Sequence, residues 1–99
     1  MMSLSERPTA IFAASDLMAI AVLSALYSMG ISVPGQAAVI GITDIEQSKF
    51  SSPPLTTFAI PAREIGLLAV DLIHSSLIES FPLPRRILLP TRLVERESV

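Results

Sequence analysis

The sequence predicts an α/β fold built on parallel strands. Two apolar runs of strand length carry that reading. Ala10-Ile11-Phe12-Ala13-Ala14 ends in Ser15-Asp16, and Ala37-Ala38-Val39-Ile40-Gly41-Ile42 ends in Thr43-Asp44. A helix-like stretch, Leu17 to Met29, lies between them. Together they form a β-α-β unit that brings both acids to one edge of a sheet. Ligands of open α/β sheets bind outside the carboxyl ends of the strands, so that edge is the place to look for a site.

Taken in order, residues 1–8 form a leader without regular structure, and residues 9–98 form one partial domain. Thr9 to Ala14 make the first strand, short and apolar between polar neighbours. Ser15 is a good N-cap, because its hydroxyl can accept from free amides of the first helical turn. Asp16 in that turn suits the positive end of the helix dipole. Gly30 is placed to end the helix in the left-handed conformation, with Ile31 packing back on the last turn. Pro34-Gly35 is a turn signal. Ala37 to Ile42 form the second strand, and Asp44 to Phe50 a short helical turn. Leu55 to Ile60 form a third strand, with Leu55, Thr57 and Ala59 on one face and Thr56, Phe58 and Ile60 on the other. Pro61 fits the first position of a second helix. That helix runs to about Glu79 with an apolar stripe of Ile65, Leu68, Ala69, Leu72, Ile73 and Leu77. Phe81-Pro82-Leu83-Pro84 is a connection. Ile87 to Pro90 and Thr91 to Glu95 are extended segments. The element order is therefore β-α-β-β-α-β-β.

Composition bounds the function. The 99 residues are 51% hydrophobic and 16% charged, which argues against disorder and for a chain rich in core. The net charge is −2, with no clustered basic face to grip nucleic acid. Arg85, Arg86, Arg92 and Arg96 lie near the C-terminus but are interrupted by Glu95 and Glu97, so they read as a solvated face. There is no cysteine, which excludes disulfides, thiolate metal sites and cysteine nucleophiles. The N-terminus has no signal-peptide layout, consistent with a cytoplasmic location. Leu17 to Val33 is apolar but breaks at Gly30 and Pro34, short of the ~20 residues of a membrane span.

No G-x-G-x-x-G, Walker or G-x-S-x-G sequence occurs. His74 is the single histidine and has no partner at metal-ligand spacing, so neither a metal site nor a cofactor site is expected. Asp16 and Asp44, with Ser15 and Thr43, have two roles open to them. They can cap the following turns, or they can take hydrogen bonds from a small ligand in the cleft. Capping is the commoner use of these residue types.

Five blocks resemble LacI/GalR-type bacterial transcription regulators. Pro8-Thr9-Ala10-Ile11-Phe12-Ala13-Ala14-Ser15-Asp16-Leu17-Met18-Ala19 resembles their P-T-A-I-F-A-x-N-D-x-M-A segment. Gly30-Ile31-Ser32-Val33-Pro34 resembles G-L-x-V-P, and Val39-Ile40-Gly41-Ile42-Thr43-Asp44 resembles V-V-G-F-D-D. Ser52-Pro53-Pro54-Leu55-Thr56-Thr57 resembles x-P-x-L-T-T, and the stretch from Leu88 to Ser98 resembles L-x-P-x-x-L-V-x-R-x-S. The resemblance implies the C-terminal part of a type I periplasmic-binding-protein-like effector domain, a three-layer fold with helices flanking a parallel sheet. It implies a binding module and no catalytic residue. Its ligand would be a sugar or purine effector held by Ser15, Asp16, Thr43 and Asp44. Two positions depart from the family pattern, Ser15 for its Asn and Thr43 for its first Asp. The resemblance also implies a homo-oligomer using the first helix through Ile20, Leu23 and Tyr27. DNA would be reached only through a helix-turn-helix segment, which these residues do not contain. A fragment of a sugar-binding transport protein of the same fold is the alternative, and a small hydrolase-type enzyme a second one.

In that family the second helix packs on another subdomain's sheet, which is absent from these 99 residues. Burial of each large stripe residue contributes on the order of 1.5–3 kcal/mol, against about 5–15 kcal/mol of net domain stability. The isolated chain is therefore expected to be marginal or self-associating. A two-dimensional amide NMR spectrum with sedimentation analysis checks this. A dispersed spectrum from a monomer with a cooperative, high-temperature melt would count against it.

Overall fold

The computed structural model describes residues 5–78 and 86–99. Glu79, where the second helix was expected to end, and the Phe81-Pro84 connection lie outside these residues, as does the start of the leader. The chain forms two compact units. One comprises Met1–Ala59 with Arg92–Val99, and the other comprises Ile60–Thr91.

The first unit holds a four-stranded sheet in the order β1 (Ala10–Phe12), β2 (Ala38–Thr43), β3 (Thr56–Ala59), β4 (Arg92–Val94). The first three strands are parallel, in the register Phe12 beside Ile40 and Ile42 beside Phe58. β4 runs antiparallel to β3, with Leu93 beside Phe58. The expected extended segment from Ile87 to Pro90 forms no strand, so the described order is β-α-β-β-α-β. The third strand keeps the expected two faces. Thr57 looks toward the helix, and Thr56 looks toward the C-terminal residues.

β1 is shorter and less buried than expected, with Phe12 61% exposed. Among the described residues it lies at the end of the strand order and pairs with β2 alone. Parallel sheets are ordinarily covered on both faces. Here Val39 is fully buried toward the helix, while Phe12 and Leu93 on the opposite face stay open.

Helix α1 (Asp16–Ser28) begins where the sequence places its cap. Ser15 is extended, and its hydroxyl accepts from the Met18 amide at 3.2 Å. The helix ends in a Schellman motif. Gly30 takes a φ of +69°, its amide donates to the Tyr27 carbonyl, and the Ile31 amide donates to the Leu26 carbonyl. Ile31 then joins Ala19, Leu23, Leu26, Ala37, Val39 and Leu55 in the core. Leu23 is 3% exposed, so its bulk serves the core rather than an oligomer contact as expected. Tyr27 is 84% exposed, and Ile20 is partly buried.

A single carboxylate ties α1 to the sheet. Asp16 has no exposed surface. Its Oδ2 accepts from the Ile45 amide at 3.0 Å and from the Ser48 hydroxyl at 2.6 Å. Its Oδ1 accepts from the Thr57 hydroxyl at 2.5 Å. The carboxylate thus joins α1, the short 3-10 helix η1 (Glu46–Lys49) and β3. Gly41 is what lets the helix come this close. A β-carbon there would collide with Asp16 Oδ1 and lie 3.1 Å from Leu55 and 3.3 Å from Ala19.

The C-terminal residues form a second set of ties. The Ser98 hydroxyl donates to the Val39 carbonyl at 2.6 Å and accepts from the Thr56 amide at 2.8 Å. It bridges backbone groups of β2 and the start of β3. Arg96 is not the solvated charge expected. Its guanidinium donates to the Leu55 carbonyl and to Asp44 Oδ1, each at 2.7 Å, and its side chain is 14% exposed.

The second unit is helix α2 (Ala62–Ile78), with Pro61 one residue before the expected position. None of its described residues is buried. Of its stripe, Ile73 is 63% and Leu77 79% exposed.

Two substitutions test the Asp16 contact by urea denaturation. Gly41→Ala is expected to lower stability by about 1–3 kcal/mol, the usual cost of overpacking. Asp16→Ala is expected to cost more, since it leaves three inward-facing donors unpaired at about 1–3 kcal/mol each. Asp16→Asn is expected to fall below that. Its amide oxygen can keep the Ile45 and Ser48 donors while its NH2 donates to the rotatable Thr57 hydroxyl. Equal losses for alanine and asparagine would refute the hydrogen-bond account.

Candidate functional site

β1 and β2 are adjacent and parallel, so their carboxyl ends open on one edge. Ser15 follows β1, and Thr43 and Asp44 complete and follow β2. The backbone at this corner is unusual. Thr43 has a φ of +126° and Asp44 a φ of +57°. Asp tolerates the left-handed region, but a β-branched residue at positive φ is an outlier. Such conformations cost of order 1–3 kcal/mol each and persist where the surroundings hold them, often at ligand sites. The surroundings are visible here. Beyond the corner the Ile45 amide is held by Asp16, and the Asp44 carboxylate is held by Arg96.

The four residues expected at the site divide by burial. Thr43 and Asp44 are half-buried at the edge, and Ser15 is half-buried at the helix start. Asp16 is turned inward with both oxygens engaged, so it supports the corner from beneath and offers no surface to a ligand. This departs from its expected place among ligand-contacting groups. Burial explains the departure, since an enclosed carboxylate must be met by donors. Arg96 is the functional-edge residue that sequence reasoning missed. No local pattern marks it, since it stands among alternating charges 52 residues from Asp44, with which it pairs.

The corner's charge is internally compensated, since Arg96 Nη2 lies 2.7 Å from Asp44 Oδ1. What it offers is hydroxyl and amide chemistry. A cavity of about 330 Å³ opens beside Arg96, lined by Ile40, Thr56, Leu93, Glu95, Arg96 and Val99. A second, of about 350 Å³, lies along α1 between Ile20, Leu23, Ser24, Tyr27, Ser51 and Ser52. Among the described residues no group of histidine and acidic side chains is arranged to hold a metal ion. No described helix is long and apolar enough to cross a membrane.

Comparison with known proteins places this architecture. The model of the periplasmic binding protein-like domain matches residues 1–99. The chain is 40% identical over 98 residues to the lactose operon repressor of Rhizobium radiobacter, covering 99% of this chain and 86% of that sequence. It is 41% identical to the ribose operon repressor of Escherichia coli, covering 93% of this chain but only 28% of that protein. A LacI family regulator from an Arthrobacter species, solved in complex with lactose, superimposes with a TM-score of 0.79 at 41% identity. That match covers 91% of this chain and 34% of the other. The parallel sheet, the capped first helix and these matches agree: the chain belongs to the periplasmic binding protein-like domain family, in the branch formed by the LacI-type transcription regulators.

Proposed function

We propose that this chain is part of the effector-sensing domain of a LacI-type transcription regulator, and that its effector is a small, uncharged, hydroxylated molecule of the sugar class. The observation that carries this reading is the corner at the end of β2. Two consecutive non-glycine residues, Thr43 and Asp44, are held at positive φ where ligands of α/β sheets bind. A fold spends such strain where the surroundings over-determine it, and the edge beside it presents the Ser15 and Thr43 hydroxyls. Because Arg96 neutralises Asp44, the edge suits hydroxyl donors and acceptors better than a cation or an anion. The lactose and ribose operon repressors among its relatives support the sugar class.

In this reading Ser15, Thr43 and Asp44 contact the effector, and Asp16 holds their loop. The module binds and does not catalyse, and it needs no cofactor. Closure on the effector would be passed to operator DNA through a helix-turn-helix segment outside these 99 residues, in the cytoplasm. The outer side of α1, where Leu17, Met18 and Tyr27 are exposed without a charge, supports self-association through Ile20 and Tyr27.

Calorimetric titration with ribose, lactose and cellobiose tests the proposal. At least one sugar is expected to bind weakly, since the chain supplies only part of the enclosure. Thr43→Ala or Asp44→Asn is expected to weaken that sugar by about tenfold or more, the effect of losing one good hydrogen bond. No binding by any sugar, or binding indifferent to both substitutions, would refute it.

A further inference from the structure

We infer that Arg96 is a positioning residue for the effector edge: it fixes the Thr43–Asp44 corner by holding the Asp44 carboxylate, and so determines which groups the corner presents. The inference deepens the effector-site reading above and rests on it for the meaning of the corner, though not for its geometry.

Three observations meet at this side chain. First, the guanidinium is a fork with two occupied prongs. Nη1 donates to the Leu55 carbonyl at the entry to β3, and Nη2 donates to Asp44 Oδ1 past the end of β2, each at 2.7 Å. A planar guanidinium can span two acceptors at fixed separation, whereas an ammonium behaves as a single point charge. Second, the root of the side chain is itself fixed. The Arg96 amide donates to the Thr56 hydroxyl at 2.9 Å, and the flanking Glu97 amide donates to the Pro54 carbonyl at 3.0 Å. The fork is therefore built on an anchored base. Third, its target needs holding. Thr43 and Asp44 both sit at positive φ, and Asp44 is followed directly by the Ile45 amide that Asp16 fixes. The corner is clamped at one end by Asp16 and in the middle by Arg96.

The pairing also sets what remains for a ligand. Arg96 engages Oδ1 of Asp44, and among the described residues Oδ2 accepts no hydrogen bond, while the side chain keeps 19% exposure. One oxygen of a charge-compensated acid is left over, on the residue that follows Thr43. Asp44 is thus both a strut toward Arg96 and an acceptor toward the edge.

The test uses the full 99-residue chain, with amide NMR on Arg96→Lys, Arg96→Met, Asp44→Asn and the Arg96→Met/Asp44→Asn pair. Arg96→Met and Asp44→Asn are expected to move the same amides, those of Thr43, Asp44 and Ile45. The double variant is expected to move them no further than either single one. The amides of Val94 and of Val39, which donates to the Ser98 carbonyl of the tail, are expected to hold their positions, which a merely structural role in the tail would not allow. Where Arg96→Met does not fold, Arg96→Lys decides: lysine keeps a charge but cannot span both acceptors, so the corner amides must still move. Unmoved corner amides, additive shifts, or Val94 and Val39 amides moving with the corner would overturn the inference. Titration with ribose, lactose and cellobiose separates it from the effector reading. If one of these sugars moves corner amides in the unsubstituted chain, Arg96→Met is expected to weaken that response tenfold or more, and an equal response would overturn the inference. If none of ribose, lactose and cellobiose moves any amide in any variant, the effector reading fails, and the positioning role is decided by the ligand-free spectra.

Discussion

The first unit depends on one buried carboxylate. Asp16 stands at the first turn of α1 and receives three donors from three other parts of the chain: the amide before η1, a hydroxyl inside η1 and a hydroxyl on β3. An ion enclosed without such partners would be expelled or neutralised, so the arrangement binds the helix, the loop and the strand to one another or fails as a whole. Placing a carboxylate there requires a close approach of helix to sheet. Only the missing side chain of Gly41 permits it, since any β-carbon would occupy the space of Asp16 Oδ1. The acid and the glycine form a single device, although 25 positions of chain separate Asp16 from Gly41.

The C-terminal residues solve a different problem. β2 and β3 are parallel, and the entry to β3 comes out of a loop. The Val39 carbonyl and the Thr56 amide there are buried backbone groups that need partners. Ser98 serves both with one hydroxyl, donating to the first and accepting from the second. Its own carbonyl accepts from the Val39 amide at 2.8 Å. With the tail seated in this way, Arg96 is brought within reach of Asp44. The residues that finish the sheet therefore also brace the Thr43–Asp44 corner, which links the stability of the sheet to the shape of that corner.

Local signals were legible in the sequence, and long-range ones were not. Ser15 before an apolar run and Gly30 after it marked both ends of α1, because capping depends on neighbours three or four residues away. The strand faces of β3 were legible by alternation. The role of Asp16 was misplaced, because a carboxylate in a first turn looks the same whether it faces water or three donors. The partners of Asp16 lie 29 to 41 residues away. Arg96 was misread for the same reason: a run of alternating charges resembles a solvated surface until folding brings one arginine to an aspartate. The resemblance of Val39–Asp44 to a family block located the corner, yet its positive φ values belong to backbone that no composition reveals. Leu23 was assigned to a surface because α1 is apolar on every side, which removes the polar contrast by which a helix declares its buried face.

That lack of contrast in α1 has a counterpart in α2, and the two helices show how burial rather than pattern decides a role. α1 has no clear polar face, yet Ala19, Leu23 and Leu26 are buried in the core. α2 has a well-formed apolar stripe, yet none of its described residues is buried. An amphipathic helix gains most of its stability from packing its apolar face, so the exposed part of this stripe contributes little, although Leu68 and Leu72 are half-buried. Ile65, Ile73 and Leu77 therefore carry a preference that the described residues do not satisfy. The segment shared with this chain makes up 28% of the Escherichia coli relative and 34% of the Arthrobacter one. The rest of such a chain offers additional surface to cover such a stripe. The corner needs no such help, since Asp16, Gly41, Arg96 and Ser98 all lie within the first unit. The Thr43–Asp44 corner is thus braced from within the first unit, whereas the pattern of α2 alone buries none of its described residues.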